Sequence, residues 1–154
     1  MITVARIDER LIHGQVAYAW TCAYKSEAVM AVDAQAANDS LQTSLLKMAC
    51  PAPLKCFVVD EGRAAELLKK YAVRKVFVVA KHPDVYLHLV ELGVEIEKIN
   101  VGGLYHQEDR RQLSRTVYVD AHMEETFHAL HEKGVMLEVR THPGDAGEDL
   151  MKLL

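Results

Sequence analysis

Several features that define common protein classes are missing from this chain. No stretch approaches the roughly 20 consecutive apolar residues of a membrane span. The strand-like opening ITVARI does not have the pattern of a signal peptide, and we find no internal repeat, low-complexity tract or linker. The 154 residues, half of them hydrophobic, therefore predict one cytoplasmic globular domain spanning 1–154.

Motifs for nucleotides and metals are also absent. The chain has no P-loop motif, no GxGxxG sequence after its first strand and no HExxH pair. His128 and His131 lie three residues apart on a predicted helix, and with His122 they leave zinc binding as an alternative. Since no cysteine partner accompanies them, we expect solvent-exposed helix histidines, and we expect neither a metal nor a cofactor.

Cysteine and charge usage exclude further classes. Cys22, Cys50 and Cys56 are odd in number and form no CxxC pair, which predicts buried free thiols in a reducing compartment. A net charge of −4 argues against broad binding to nucleic acid. A local basic patch stays open, because five arginines could converge: Arg6, Arg10, Arg110, Arg111 and Arg115.

Strand-like and helix-like segments alternate along the whole chain. Short β-branched runs occupy 2–6, 28–33, 55–60, 75–80, 96–101, 116–119 and 136–140, and helical patterns fall between most of them. This alternation predicts a three-layer α/β domain with a mostly parallel central sheet of about seven strands and helices on both faces. Ligands of such folds bind at the carboxyl ends of the strands. The first strand ends near Ile7, which places His13 on that edge.

The segment RIDERLIHGQV, residues 6–16, carries the most specific chemistry. His13 stands where a strand gives way to a helix, and Arg6 and Arg10 precede it. Histidine is a nitrogen nucleophile, a helix N-terminus binds anions, and arginine pairs with phosphate oxygens. Together these features indicate a histidine that carries phosphate. The alternative is a loop histidine near two surface arginines.

The same segment resembles the signature around the phosphorylated histidine of enzyme IIB subunits of the mannose/fructose/sorbose family of the bacterial sugar phosphotransferase system. The resemblance continues through VDAQAANDSLQTSLLKMACPAPLK at 32–55, INVGG at 99–103 and a closing stretch at 134–143. It therefore spans essentially the whole chain, and it implies an α/β fold with phosphoryl transfer through His13.

The resemblance implies a set of partners. Phosphate would arrive from a IIA protein or domain and leave to a hexose-type sugar presented by the membrane components IIC and IID, which would hold the chain at the inner face of the membrane. Which sugar is used stays open, and so does the oligomeric state, because family members often self-associate. Two other interpretations remain: a regulatory module that signals through phosphorylated His13, and a module that binds an anion without covalent chemistry.

Roles follow for the neighbours of His13. We expect Arg10 to clamp phosphate oxygens and the amides of Gly14 and Gln15 to donate to them. Arg6 would add positive potential or bind a partner. Asp8 would orient an arginine or the loop, because its carboxylate repels an anion.

Three further residues are candidates for the edge of the site. Asp33 ends the second strand, where it either caps a loop or joins the site. Gly102 and Gly103 would let a loop approach closely. The region 102–111 lacks periodicity and predicts a mobile loop, and it departs from the family, which often has Gly-Met-His where this chain has Leu104, Tyr105 and then His106.

Overall fold

The computed structural model describes residues 1–154 and divides them into nine strands and six helices. The strands are β1 (Ile2–Asp8), β2 (Ala28–Val32), β3 (Lys55–Val59), β4 (Val76–Ala80), β5 (Lys98–Gly103), β6 (Arg111–Ser114), β7 (Val117–Val119), β8 (Met136–Val139) and β9 (Glu148–Asp149). The helices are α1 (Gly14–Ala23), α2 (Ala34–Ala37), α3 (Ser40–Ala49), α4 (Glu61–Lys70), α5 (Pro83–Glu91) and α6 (Ala121–Glu132), and a short 3₁₀ turn closes the chain at Leu150–Lys152.

Seven of the strands form one sheet in the order β3-β2-β4-β1-β5-β8-β9. All neighbours in it are parallel except β9, which pairs antiparallel with β8. The predicted mostly parallel sheet of about seven strands is therefore confirmed.

The prediction that the run 116–119 belongs to the main sheet was wrong. The run 116–119 contains β7, which pairs with β6 in a separate two-stranded hairpin, and β9 takes the seventh place. β9 has only two residues, both acidic, so its pairing depends on the neighbouring β8 and not on any strand propensity of its own.

Helices cover both faces of the sheet, as predicted. Alternate side chains of β1 point to opposite faces: Val4 joins a cluster with Trp20 of α1 and Ala36 of α2, whereas Ala5 joins a larger cluster with α4, α5 and α6. Central strands such as β4 are buried throughout. The sheet therefore forms a rigid middle layer that positions the loops at its edges.

The helix boundaries follow local chemistry. Asp33, Asp39, Asp60 and Asp120 each accept a backbone N–H bond at the start of α2, α3, α4 and α6 respectively. None of the six helices combines the length and the apolar character that crossing a bilayer requires.

The cysteine prediction holds only in part. All three thiols are free, but Cys22 is exposed and the other two are half-buried, so none is a fully buried thiol.

Candidate functional site

The candidate site lies at the carboxyl end of β1, in the middle of the sheet. β1 is flanked by β4 and β5, with Ile7 opposite Ala80 and Asp8 opposite Gly103. From this point the chain turns through residues 9–13 into α1. The predicted position of His13 at the carboxyl edge is the one observed.

A tight backbone turn brings the chain from β1 into α1. The Leu11 N–H donates to the Asp8 carbonyl at 2.9 Å, and Leu11 has a positive φ of 58°. The Leu11 and Ile12 side chains are buried in the core, which stabilises this conformation. The turn places His13 at the first boundary of α1, where its side chain is 24% exposed.

The Asp8 carboxylate is the centre of the site. It is fully buried, and its Oδ2 atom lies 3.1 Å from Nε2 of His13. Its Oδ1 atom accepts from the Arg10 backbone N–H at 3.0 Å and from Arg10 Nε at 3.3 Å. Arg6 Nη2 reaches Oδ2 at 3.4 Å. One carboxylate therefore contacts all three positively charged or protonatable side chains of the motif.

The ionised state of Asp8 determines which nitrogen of the His13 ring carries a proton. Burial would raise the pKa of Asp8, but hydrogen bonds from His13 and Arg10 and the charge of Arg6 outweigh it and lower the pKa from 3.8 to about 2. An ionised carboxylate only accepts hydrogen bonds, so Nε2 of His13 carries the proton in this contact. In the neutral ring, the lone pair then lies on Nδ1.

Arg6 has a different environment from the one expected. Its side chain is 1% exposed, so the prediction that it binds a partner is wrong. Its guanidinium donates to the Asn100 side chain and to the Arg140 carbonyl, and it lies over the Trp20 ring at 5.3 Å from the centroid. A buried charge needs such partners, and Asp8 supplies the opposite charge.

Gly102 and Gly103 of β5 lie directly against this buried pair. A Cβ atom on Gly102 would be 2.1 Å from Arg6 Cζ, and one on Gly103 would be 2.8 Å from Asp8 Oδ1. Only glycine leaves room for the Arg6 guanidinium and the Asp8 carboxylate at these positions.

Two sets of donors face solvent beside His13. The Arg10 side chain is 51% exposed, and its Nη1 group has no partner. The backbone N–H groups of Gly14, Gln15 and Val16 in the first turn of α1 have no acceptor either. These free donors, at the positive end of a helix dipole, form a surface suited to an anion.

The remaining candidates lie further from this centre. Asp33 caps α2 through the Ala36 N–H at 2.9 Å, and Lys81 lies 3.8 Å from its Oδ2 atom. The five arginines do not form one patch: Arg6 is buried and Arg111 pairs with Glu124 on α6. The irregular loop is shorter than predicted, because β5 extends through Gly103 and β6 begins at Arg111.

The histidines of α6 behave as expected. His122, His128 and His131 are exposed, and His122 Nε2 lies 2.7 Å from the Asp84 carboxylate. No group of three or more histidine, cysteine or carboxylate side chains is arranged to hold a metal ion.

The sequence patterns did not predict the groups that contact the motif from distant parts of the chain. Asn100 bonds the buried Arg6, Trp20 provides the ring beneath it, and Arg140 also lies over that ring at 5.0 Å. Asn100 carries one usable signal, since it is a lone amide in the otherwise apolar run INV. Nothing local in the sequence points to Arg140.

Comparison with solved structures defines the class of fold. The crystal structure of the IIBSor domain of the sorbose permease from Klebsiella pneumoniae superposes with a TM-score of 0.94, at 30% identity, covering 99% of this chain and 95% of that one. The three-layer α/β arrangement is therefore that of a IIB domain.

Sequence comparison gives the family. A profile described as "PTS system sorbose subfamily IIB component" matches residues 2–154. The sorbose-specific EIIB component of Lacticaseibacillus casei is 34% identical, covering 98% of this chain and 93% of that protein. The mannose-specific EIIAB component of Escherichia coli K12 is 35% identical, covering 100% of this chain and 48% of that longer protein.

The chain belongs to the family of IIB components of the sugar phosphotransferase system. It is a sugar-specific IIB subunit, and its activity is phosphotransfer. This membership favours phosphotransfer over the regulatory and anion-binding alternatives.

Proposed function

We propose that His13 accepts a phosphoryl group from phosphohistidine on a IIA protein and passes it to a sugar presented by IIC and IID. The observation that carries this proposal is the 3.1 Å contact between His13 Nε2 and the buried Asp8 carboxylate. It orients the ring and leaves Nδ1 as the nucleophile, next to free donors.

The first transfer forms one bond and breaks one. Nδ1 of His13 attacks phosphorus, the N–P bond of the IIA phosphohistidine breaks, and its electron pair returns to the IIA imidazole. The His13 ring keeps its Nε2 proton and becomes cationic, and Asp8 stabilises that charge. In the second transfer a sugar hydroxyl oxygen attacks phosphorus, the His13 N–P bond breaks, and the hydroxyl proton leaves to solvent.

Phosphoryl transfer depends mainly on positioning and on neutralising negative charge. Arg10 Nη1 and the Gly14 and Gln15 amides are the donors we assign to the phosphoryl oxygens. Arg6 and Asp8 act indirectly: Arg6 pairs with the Asp8 carboxylate, and that carboxylate orients the His13 ring through its hydrogen bond to Nε2. Gly102 and Gly103 leave the space that this pair occupies, and Asp33 serves as the cap of α2.

The partners and location follow from this sequence of transfers. Residues 1–154 would work as one IIB domain in the cytoplasm, at the inner face of the membrane, where IIC and IID present the sugar. Support for a IIA partner comes from the mannose-specific EIIAB relative, whose name joins A and B components in one protein. The related proteins are named for different sugars, so the sugar is left open.

A mass measurement tests the acceptor. The protein is incubated with phosphoenolpyruvate, enzyme I, HPr and a IIA protein, and its intact mass is recorded for the parent, His13→Ala and His128→Ala. We expect an acid-labile gain of one phosphoryl group in the parent and in His128→Ala, whose histidine is exposed on α6, and none in His13→Ala. Normal incorporation into a folded His13→Ala would refute the assignment.

A further inference from the structure

The loop between β5 and β6 lies against the turn that carries the site. Its residue Tyr105 follows the strand β5, whose Gly103 carbonyl accepts from the Glu9 N–H at 2.9 Å. Tyr105 and Glu9 are 96 residues apart in the chain. The loop is therefore attached to the site turn through backbone and side-chain contacts.

An ion pair fixes the backbone of Tyr105 from both sides. The Glu9 carboxylate accepts from the Tyr105 N–H at 3.2 Å and pairs with Arg110. The same Arg110 guanidinium donates to the Tyr105 carbonyl at 2.9 Å. Since the Arg110 side chain is only 8% exposed, this is a partly desolvated, charge-assisted arrangement rather than a loose surface pair.

The Tyr105 ring lies beneath the arginine that we assign to the phosphoryl oxygens. Arg10 Cζ is 5.3 Å from the ring centroid, within the range of a cation–π contact. Asp8 holds the Nε and Nη2 groups of Arg10, which leaves Nη1 directed away from that contact and without a partner. A half-exposed arginine held by a carboxylate and an aromatic face loses much of its rotamer freedom before an anion arrives.

Gly103 makes this placement possible. A Cβ atom there would lie 2.6 Å from the Tyr105 hydroxyl oxygen as well as 2.8 Å from Asp8 Oδ1. The tyrosine therefore occupies space beside Asp8 that any side chain at position 103 would fill.

We propose that Tyr105 is a positioning residue for phosphoryl transfer: its ring, carried by a backbone that the Glu9–Arg110 pair fixes, holds Arg10 in the orientation that receives the phosphoryl oxygens. The inference rests on the proposed function, because it requires Arg10 to act in transfer. It concerns the ring face and not the hydroxyl, which has no hydrogen-bond partner.

A double-mutant cycle tests the inference, with kcat/KM for transfer from phospho-IIA as the readout. In the parent background we expect Tyr105→Ala to lower kcat/KM by about 5-fold, the range of an exposed cation–π contact. In the Arg10→Ala background we expect the same change to cost less than about 2-fold, because the group that it positions is gone. A merely structural role would lower the rate equally in both backgrounds.

Two further variants separate the contribution of the ring face from that of the hydroxyl and from a general effect of losing a tyrosine. Tyr105→Phe keeps the aromatic face, so we expect it to stay within about 2-fold of the parent. Tyr71→Ala is the matched control: Tyr71 is exposed and lies under Lys70 at 5.3 Å, but it follows α4 at the opposite edge of the sheet. It should leave kcat/KM unchanged.

The outcomes are distinguishable from a failure of the proposed function. Equal losses from Tyr105→Ala in both backgrounds, or a loss in Tyr105→Phe as large as in Tyr105→Ala, would overturn the positioning role while His13 stays the acceptor. If Arg10→Ala itself had no effect, the assignment of Arg10 would fail first. Glu9→Gln adds an independent check, since weakening the lock should reproduce part of the Tyr105→Ala loss only when Arg10 is present.

Discussion

The Oδ2 atom of Asp8 lies 3.1 Å from Nε2 of His13, and the carboxylate is completely shielded from solvent. The same oxygen is 3.4 Å from the buried Arg6 guanidinium. Asp8 therefore connects a charge inside the core to the His13 ring, which we propose as the phosphoryl acceptor. Substitution of this carboxylate should therefore change both the free energy of unfolding and the rate of phosphoryl transfer.

Acid should destabilise the protein through Asp8. Its folded pKa of about 2 lies below the unfolded value of 3.8, so ionised Asp8 contributes stability that is present above pH 3.8 and is lost as the pH falls through about 2. The shift corresponds to about 2 kcal/mol. We expect the free energy of unfolding, from urea titrations between pH 5 and pH 2, to fall less steeply in Asp8→Asn than in the parent.

The same variant has a second expected effect. At neutral pH, Asp8→Asn leaves Arg6 buried without an ionised partner, which should cost about 3–5 kcal/mol of stability. Identical pH dependence in the variant and the parent would show that other carboxylates cause the acid loss.

Gly102→Ala should be strongly destabilising. The new methyl group would overlap the Arg6 guanidinium, since it would lie 2.1 Å from Cζ, and overpacking of this kind costs about 1–3 kcal/mol. Gly144→Ala is the control, because a Cβ atom there meets nothing within 4 Å. Thermal unfolding of both variants measures the difference. Equal melting temperatures would mean that Arg6 moves aside freely.

Arg10→Ala should slow transfer much more than it weakens folding. The half-exposed side chain contributes at most about 1 kcal/mol through its pair with Asp8. Loss of a donor to a transferring group lowers the rate about 100-fold. Rapid-quench measurement of transfer, beside a urea titration, separates the two effects, and a transfer rate equal to that of the parent would remove Arg10 from the site.

Asp33 offers a test between a helix cap and a site charge. Asp33→Ala removes the bond to the Ala36 N–H and should cost about 1 kcal/mol, whereas Asp33→Asn keeps a capping oxygen and should be nearly neutral. We expect both variants to transfer phosphate at the parent rate. Slow transfer by a stable Asp33→Asn would instead give the carboxylate charge a role in the site.

The elements that sequence patterns predicted well are those that depend on neighbours in the chain. The apolar run VFVVA at 76–80 forms the buried β4, within the strand predicted at 75–80. The prediction failed at 116–119 because a short β-branched run does not specify its partner strand. β9 was not predicted because its pairing is imposed by β8.

The same division applies to the site. The motif from Arg6 to Gln15 predicted the histidine and its immediate neighbours as candidate residues, because they all lie in one short segment of the chain. It did not distinguish a buried Arg6 from an exposed one, because burial depends on β5 and α1 packing around it.

Local sequence thus determines which residue types the candidate site contains: a histidine at the start of a helix, two arginines and a carboxylate, in a chain whose alternating pattern forms a parallel sheet. The tertiary structure assigns their parts. Arg6 meets Asn100 across 94 residues, and Glu9 meets Tyr105 across 96. Packing likewise determines which His13 nitrogen bonds Asp8. Hydrogen bonds and burial depend on distances in space, and the spacing of residues along the chain does not encode those distances.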